Sequence, residues 1–486
     1  MTATIDIGSR VYSLDDQRWF ANVSRDRNPV HLDALYARRA PAGQPIVHGM
    51  HFVAVGLELA LRGRMIERIS HLKVKFLQTI GVDERVTYRA ENRAQRGVRI
   101  SVCVGDALCA TIDMLGHPDQ PARHLVTENC RLSYRIGSAD RVEMREVDFD
   151  RLDNCAGSIS IAPDASIDQR FPRLSKAIGR SRLSGLFALS CVVGMLCPGL
   201  YSIFSAADLS LCDPESGPLV AKVRSADARF RLVTQDVAGL GLAGTISAFV
   251  RVPPVAQPSL ADLRKLVTPD EFRGCRALVI GGSRGLGEVA AKLIATGGGD
   301  VTLTYAVGES DALRVVQDIQ AGTEGAGCRA LRYDACAGEP ASLVRACQPI
   351  THLLYFATIK IGERRRDSIF DQSAFARYSQ IYVAAFARLL DAFDGQQHAG
   401  LKVLYPSSSA IDRPPAGFHE YAMAKMAGET LCRFLAQEGR FTFSVPRYPR
   451  LLTDQTATVV PTRTGSTGDV VLASIRSMDR DQVLEA

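Results

Sequence analysis

Apolar residues along the chain fall into three successive patterns. Residues 49–61 are almost continuously apolar, which predicts a buried helix. Segments 69–79, 85–90, 99–104 and 108–115 follow it and read as strands. The order then recurs: an apolar helix at 186–196, interrupted by Ser190, precedes strands at 201–211, 219–223, 228–234 and 241–252. One helix followed by a run of strands, twice over, predicts two antiparallel sheets each wrapped around a helix, either a structural duplication or, as the low residue identity between the blocks allows, two unrelated α+β segments. From about Gly274 the period changes. A short strand at 277–280, a glycine turn, a helix, a strand at 301–305 and further alternation predict a parallel, doubly wound sheet. Pro-rich stretches at 116–121 and 252–258 separate these three blocks.

With 486 residues the chain has length for several cores, and 46% hydrophobic with 23% charged residues excludes a disordered or fibrous protein. The longest apolar run falls short of a bilayer span, and the start lacks a basic region followed by an apolar core, so a cytoplasmic location is expected. Twelve cysteines lack any CxxC pair or His/Cys cluster at ligand spacing; no disulfide framework and no metal site are expected. The formal charge of +6 comes without polybasic runs beyond Arg364, Arg365 and Arg366, which gives no indication of nucleic acid. It suits an anionic small molecule or an acidic carrier protein, or equally a solvated surface with a modest excess of Arg.

Between the strand at 277–280 and the helix after it stand Gly281, Gly282, Ser283, Arg284, Gly285 and Gly287. Missing side chains there let backbone N–H groups approach a pyrophosphate at a helix N-terminus. The strand ending at Tyr305 is followed by Ala306-Val307-Gly308 and not by an acidic residue that would repel a ribose 2′-phosphate. With Arg284 as a phosphate partner, this favours NADP(H). Downstream, Tyr421 and Lys425 share one helix face, and Ser408 precedes the tyrosine by thirteen residues. A cation near a phenol lowers its pKa and makes it a better proton donor to a developing alkoxide.

In this order and spacing, Gly281, Gly285, Gly287, Asp334, Ser408, Tyr421 and Lys425 make the third block resemble the short-chain dehydrogenase/reductase family. The resemblance implies Tyr421 as general acid, Lys425 on the ribose and tuning the phenol, Ser408 orienting the carbonyl, and Asp334 facing the adenine. The chain departs from the family pattern in several places. Ile280 replaces a Thr, Tyr355-Phe356-Ala357-Thr358 replaces Asn-Asn-Ala-Gly, and Tyr382 stands where an Asn supports the proton relay. Tyr448-Pro449-Arg450 replaces the usual Pro-Gly.

Near the N-terminus, Asp26, Asn28, Pro29, His31 and Asp33 concentrate turn formers around one histidine. A carboxylate and an imidazole five residues apart can converge on one water and so add or remove water next to a carbonyl. Taken alone, the same residues read as helix caps and a surface histidine, before a helix from Leu32. The wider string, Ser24-Arg25-Asp26, Asn28-Pro29, His31, Asp33 and then His48-Gly49-Met50, resembles the MaoC-like, R-specific enoyl hydratases and dehydratases of the hot-dog fold. Leu72 to Leu77 is similar to that family's central strand. The resemblance implies Asp26 and His31 as the catalytic pair, the N–H of Gly49 polarising a thioester carbonyl, Asn28 holding the loop and His48 in a structural role. Arg25 replaces the family's glycine.

The expected fold is an α+β double hot-dog followed by an α/β Rossmann-type doubly wound parallel sheet. Its segments are a MaoC-like repeat at 1–120, a second repeat without the catalytic pair at 121–258, and a reductase domain at 259–486. The expected activity is bifunctional: NADPH-dependent reduction of a 3-oxoacyl thioester and dehydration of the 3-hydroxyacyl product. The acyl group rides on acyl carrier protein or coenzyme A, and both resemblances imply a homo-oligomer. The rivals are an enzyme with a single live site and a non-catalytic docking subunit of an acyl-carrier assembly line.

Overall fold

The computed structural model describes residues 4–93, 97–116, 133–153, 155–213, 217–323, 325, 327–347, 349–361, 369–394, 400–456 and 465–479. Most of the first Pro-rich stretch, the 120/121 boundary and Arg364 to Arg366 lie outside the described residues. The chain divides into two compact units, and the division falls between Pro253 and Pro254, inside the second Pro-rich stretch.

The first unit is built on β1 (Ile5–Val11), β2 (His71–Phe76), β3 (Arg85–Arg93), β4 (Gly97–Val104), β5 (Ala107–Leu115), β6 (Tyr134–Ile136), β7 (Ala156–Ile159), β8 (Ser202–Leu211), β9 (Leu219–Asp227), β10 (Leu232–Gly239) and β11 (Leu242–Val250). They form one sheet, not the two expected, in the order β1-β3-β4-β5-β2-β8-β11-β10-β9-β7-β6, antiparallel throughout except for the β6–β7 pair; pairing of β2 with β8 joins the halves. Read outward from the centre, β8-β11-β10-β9-β7 repeats the order of β2-β5-β4-β3-β1. The strand at Leu72 is therefore central, joined to β5 on one side and to β8 on the other.

Alternate residues of β3 and β4 (Val86, Tyr88 and Ala90; Val98, Ile100 and Val102) are buried, as period-2 strands with one face on a core require. Against this unit's core lie two helices, Gly49–Arg62 and Arg180–Cys191, the latter running on into a π-turn at Val192–Leu196. Both approach the sheet at a glycine. A Cβ on Gly56 would stand 3.0 Å from Ile112 Cδ1, and one on Gly185 3.0 Å from Leu242 Cδ1.

Three further expectations need correction here. Residues 228–231 form a turn and not strand, because the Asp227 carboxylate accepts the Arg229 N–H and Arg231 sits at φ 50°. The helix expected from Leu32 is two four-residue turns, Pro29–Leu32 and Ala34–Ala37, separated by Asp33, whose carboxylate caps the second through Leu35 and Tyr36. The edge strand β1 was not anticipated, since an edge facing water leaves no buried alternation to read.

The second unit contains β12 (Arg276–Ile280), β13 (Asp300–Tyr305), β14 (Cys328–Arg332), β15 (His352–Tyr355), β16 (Lys402–Leu404), the two-residue β17 (Ser407–Ser408), β18 (Thr442–Ser444) and the two-residue β19 (Arg447–Tyr448). Six of these form a wholly parallel sheet in the order β14-β13-β12-β15-β16-β18. Helices cover both faces, and successive strand residues go to opposite cores: Leu278 and Leu353 to one, Val279 and Leu354 to the other. The strand order reverses between β12 and β15, so the C-terminal ends of these two strands open the crevice where such sheets bind ligands.

Candidate functional site

In the first unit the helix Leu14–Ser24 ends at Arg25, which takes the left-handed conformation (φ 65°, ψ 15°) that a glycine adopts at least cost. Its guanidinium offsets the strain by donating to the carbonyls of Gly137, Ser160 and Asp140. The turn it makes carries Asp26 inward, where only 1% of it is exposed. Asn28 continues the turn: its N–H donates to Asp26 Oδ1, its Oδ1 accepts from Val30, and its amide donates to Gly194 O at 2.8 Å and Leu200 O at 3.2 Å.

His31 Nδ1 lies 2.8 Å from the carbonyl of Ile46 and must carry the proton there, which leaves Nε2 as the basic atom, 3.9 Å from Asp26 Oδ2. The imidazole of His48 stacks on that of His31, with ring centroids 3.7 Å apart. Its Nδ1 meets Gln17 Oε1 at 3.0 Å and its Nε2 meets the Asp26 carbonyl at 3.1 Å. A side-chain oxygen of Asp26 and ring nitrogens of His31 and His48 lie within 4.8 Å of one another, a cluster that spacing along the chain does not reveal. Burial pushes the Asp26 carboxyl up and the His31 imidazole down, against the mutual attraction of the pair, while burial drives His48 well down. Burial thus moves each of the two groups toward its neutral form. Gly49 opens the helix Gly49–Arg62, whose first N–H groups have no partner within the helix. A Cβ on Gly49 would stand 2.9 Å from Phe76 Cε1, so a larger residue would disturb this edge.

Two residues that the sequence reading did not single out complete the site, and both come from the second half. Ser190 Oγ donates to Asp26 Oδ2 at 2.6 Å, and Gly194 leaves room for that carboxylate, since a Cβ there would lie 2.6 Å from Oδ1. Ser190 was visible only as a polar interruption of an apolar run.

In the second unit the glycine turn joins β12 to the helix Gly285–Thr296. Gly281 (φ 78°) and Gly285 (φ 59°) adopt left-handed backbone, and Gly281 N donates to Thr304 Oγ1. A Cβ on Gly287 would lie 2.3 Å from Gly281 O. Ser283 is buried, and Arg284 extends at the helix N-cap with Nη1 3.6 Å from Asp454 Oδ2. The carboxylate of Asp334, beyond β14, accepts from Cys336 N and Ala337 N and so fixes the loop.

Tyr421 and Lys425 are buried on the helix His419–Gln437. Burial raises the Tyr421 phenol, and a hydrogen bond with Ser408 opposes this. Lys425 Nζ donates to Pro406 O at 2.7 Å, and burial lowers the ammonium to about 7. Ser408, Tyr421 and Lys425 are thus gathered where β16 leaves the sheet.

Residues 4–110 match the family described as MaoC like domain, and residues 276–442 match the one described as short chain dehydrogenase. The chain therefore carries a MaoC-like domain followed by a short-chain dehydrogenase domain. Among solved structures it is similar to a putative short chain dehydrogenase from Escherichia coli CFT073 complexed with NADPH (22% identity, 44% of this chain and 95% of that chain, TM-score 0.39). It is also similar to a short chain dehydrogenase from Burkholderia cenocepacia J2315 in complex with NADP (23% identity, 43% and 91%, TM-score 0.38) and to a short-chain type dehydrogenase/reductase from Mycobacterium ulcerans (21% identity, 43% and 84%, TM-score 0.38). No curated protein matches the chain. Among the described residues no helix is long and apolar enough to cross a membrane.

Proposed function

We propose that the chain is a bifunctional enzyme of acyl thioesters: the second unit reduces a 3-oxoacyl thioester with NADPH, and the first converts the 3-hydroxyacyl product to the trans-2-enoyl thioester. One observation carries this reading. Each unit holds its own buried acid/base pair, Asp26 with His31 and Tyr421 with Lys425, the latter beside a half-buried Ser408, and the product of one reaction is the substrate of the other. We read the repeated strand order of the first unit as a double hot-dog and the parallel sheet as a Rossmann-type fold; the acyl group is carried as a coenzyme A or carrier-protein thioester.

In dehydration, one member of the Asp26–His31 pair takes the C2 proton while the other delivers a proton to the C3 hydroxyl, which leaves as water. Ser190 and the N–H of Asn28 hold the carboxyl, and Ile46 O fixes the tautomer that leaves His31 Nε2 free to act. The N-terminal N–H of Gly49 steadies the negative charge that grows on the thioester carbonyl.

The glycine turn fits a dinucleotide: an added Cβ at Gly285 would meet nothing nearer than Thr453 Cγ2 at 3.9 Å, so the helix N-terminus is open to a pyrophosphate, while the backbone of Ala357 and of Gly281 leaves no room for a Cβ at Gly281 and Gly287. Gly281, Ser283, Arg284, Gly285, Gly287, Asp334 and Lys425 would hold NADP(H), with no acidic side chain following Tyr305 directly to repel a 2′-phosphate. Held by these residues, NADPH would supply the hydride that the reduction needs. Tyr421 gives its phenolic proton to the C3 oxygen, Ser408 orients that carbonyl, and Lys425 keeps positive charge beside the phenol.

The test is purified protein with NADPH and a short 3-oxoacyl thioester, with nicotinamide absorbance and acyl mass followed together. Enoyl product with NADPH consumption is expected. Where the 3-hydroxyacyl thioester accumulates, the enoyl thioester is supplied and hydration is measured. Absence of NADPH consumption while hydration persists would favour a single-activity enzyme. Binding of an acyl carrier protein with neither activity would favour the docking subunit.

A further inference from the structure

The three positions at which the chain departs from the short-chain dehydrogenase pattern around Lys425 are parts of one structure. Residues Gln380–Ala384 form a π-turn between the helices Gln372–Ser379 and Ala385–Asp394. Such a turn displaces carbonyls from the regular ladder, and tyrosine hydroxyls meet two of them here. Tyr355 donates to Ile381 O at 2.7 Å, and Tyr405 donates to Tyr382 O at 3.1 Å. The hydroxyl of Tyr382 in turn shares a 2.5 Å hydrogen bond with Thr358 Oγ1. Tyr355 thus holds the backbone of the turn and Thr358 the side chain of Tyr382 within it.

The ring that this network fixes lies beside Lys425. Nζ is 4.0 Å from the centroid of Tyr382 and 4.9 Å from that of Tyr405, while Tyr421 meets Tyr382 edge-on with centroids 5.6 Å apart. Tyr382 is fully buried, and a cation over a ring face gains most where water is excluded. Pro406 O accepts a hydrogen bond from the ammonium, Glu429 and Cys432 act on it from its own helix, and the two rings face it from the π-turn and from the end of β16.

We propose that Tyr382 is a positioning residue for Lys425, its ring face keeping the ammonium charged and fixed beside Tyr421 while Thr358 locks the ring in place. It does this where the family pattern has an Asn. The proposal rests on the reductase reading for its catalytic meaning, but its physical content concerns the protein alone. Burial lowers the ammonium to about 7 although Cys432 and Glu429 oppose it, and a ring face 4.0 Å away acts in the same direction as those two groups.

The experiment places phenylalanine and a series of increasingly fluorinated phenylalanines at position 382 of the full chain. Fluorine drains the ring face with little change of shape. The ionisation midpoint of Lys425 is read by competitive acetylation across pH with mass spectrometry, without cofactor or substrate. The midpoint should fall stepwise with fluorination, by about one pH unit across the series. Tyr382→Leu, which removes the ring, should lower it at least as far. An identical midpoint in every member of the fluorinated series would overturn the proposal. NADPH oxidation measured in parallel separates the two claims: a wild-type chain that oxidises no NADPH fails the reductase reading, while the midpoints still decide the role of Tyr382.

Discussion

Ser190 holds the carboxylate of Asp26 through a 2.6 Å hydrogen bond that spans 164 positions of sequence, so the acid/base pair of the first half depends on a hydroxyl of the second. Burial raises the Asp26 carboxyl, and the Ser190 bond opposes that rise by stabilising the charged form. In Ser190→Ala the opposition is lost and the carboxyl moves further up. The acid limb of the pH–rate profile for enoyl-thioester hydration should shift to higher pH, and the rate at neutral pH should fall about tenfold, as for loss of a hydrogen bond to a charged group. Hydration rates across the acid and neutral range check this; a superimposable profile would remove Ser190 from the site.

Gly194 predicts a second effect of the same dependence. A Cβ there would stand 2.6 and 2.7 Å from the two carboxylate oxygens of Asp26. Gly194→Ala should therefore displace Asp26, abolish most hydration, and cost about 1–3 kcal/mol of stability through overpacking. Thermal unfolding and hydration rates are the measurements. A variant of wild-type stability and activity would mean that the π-turn can yield without disturbing the carboxylate.

Separate chemistry in the two units predicts separable losses. Asp26→Asn or His31→Ala should lower hydration by about 10²–10⁴-fold and leave NADPH oxidation intact, and Tyr421→Phe should do the reverse. Loss of both activities in any one of these variants would contradict two independent sites.

What was legible in the sequence, and what was not, follows from the range of the interactions. Asp26, Asn28 and His31 stand within six residues and are joined by one turn, so spacing allowed their convergence, and the family resemblance decided between it and helix caps beside a surface histidine. The glycine positions were legible for the same reason, since each requirement is set by backbone a few residues away. Ser190 and Gly194 act on Asp26 from the far half of the sheet, and nothing local marks them beyond a serine in an apolar run. The departures at Tyr355–Thr358 and at Tyr382 read as two separate irregularities in sequence; only the fold brings their hydroxyls to one π-turn. Most strands of the first unit were legible from periodicity, but their order in the sheet rests on pairings far apart in the chain, and the edge strand β1, with its weak burial, left no periodic trace.

The glycine turn offers a prediction that separates two reasons for glycine. At Gly285 the nearest atom to an added Cβ is 3.9 Å away, so the only cost of alanine is its φ of 59°, about 1 kcal/mol for a left-handed residue. At Gly287 the backbone is ordinary, but the added Cβ would lie 2.3 Å from Gly281 O and 3.0 Å from Gly282 Cα, so the helix start would be forced off the turn. Gly287→Ala should therefore weaken NADPH binding more than Gly285→Ala does, and neither should alter hydration by the first unit. Titration of nicotinamide fluorescence against each variant gives the order directly. Stronger impairment in Gly285→Ala would mean that backbone handedness, and not the close approach of helix to strand, is what the turn chiefly requires of its glycines.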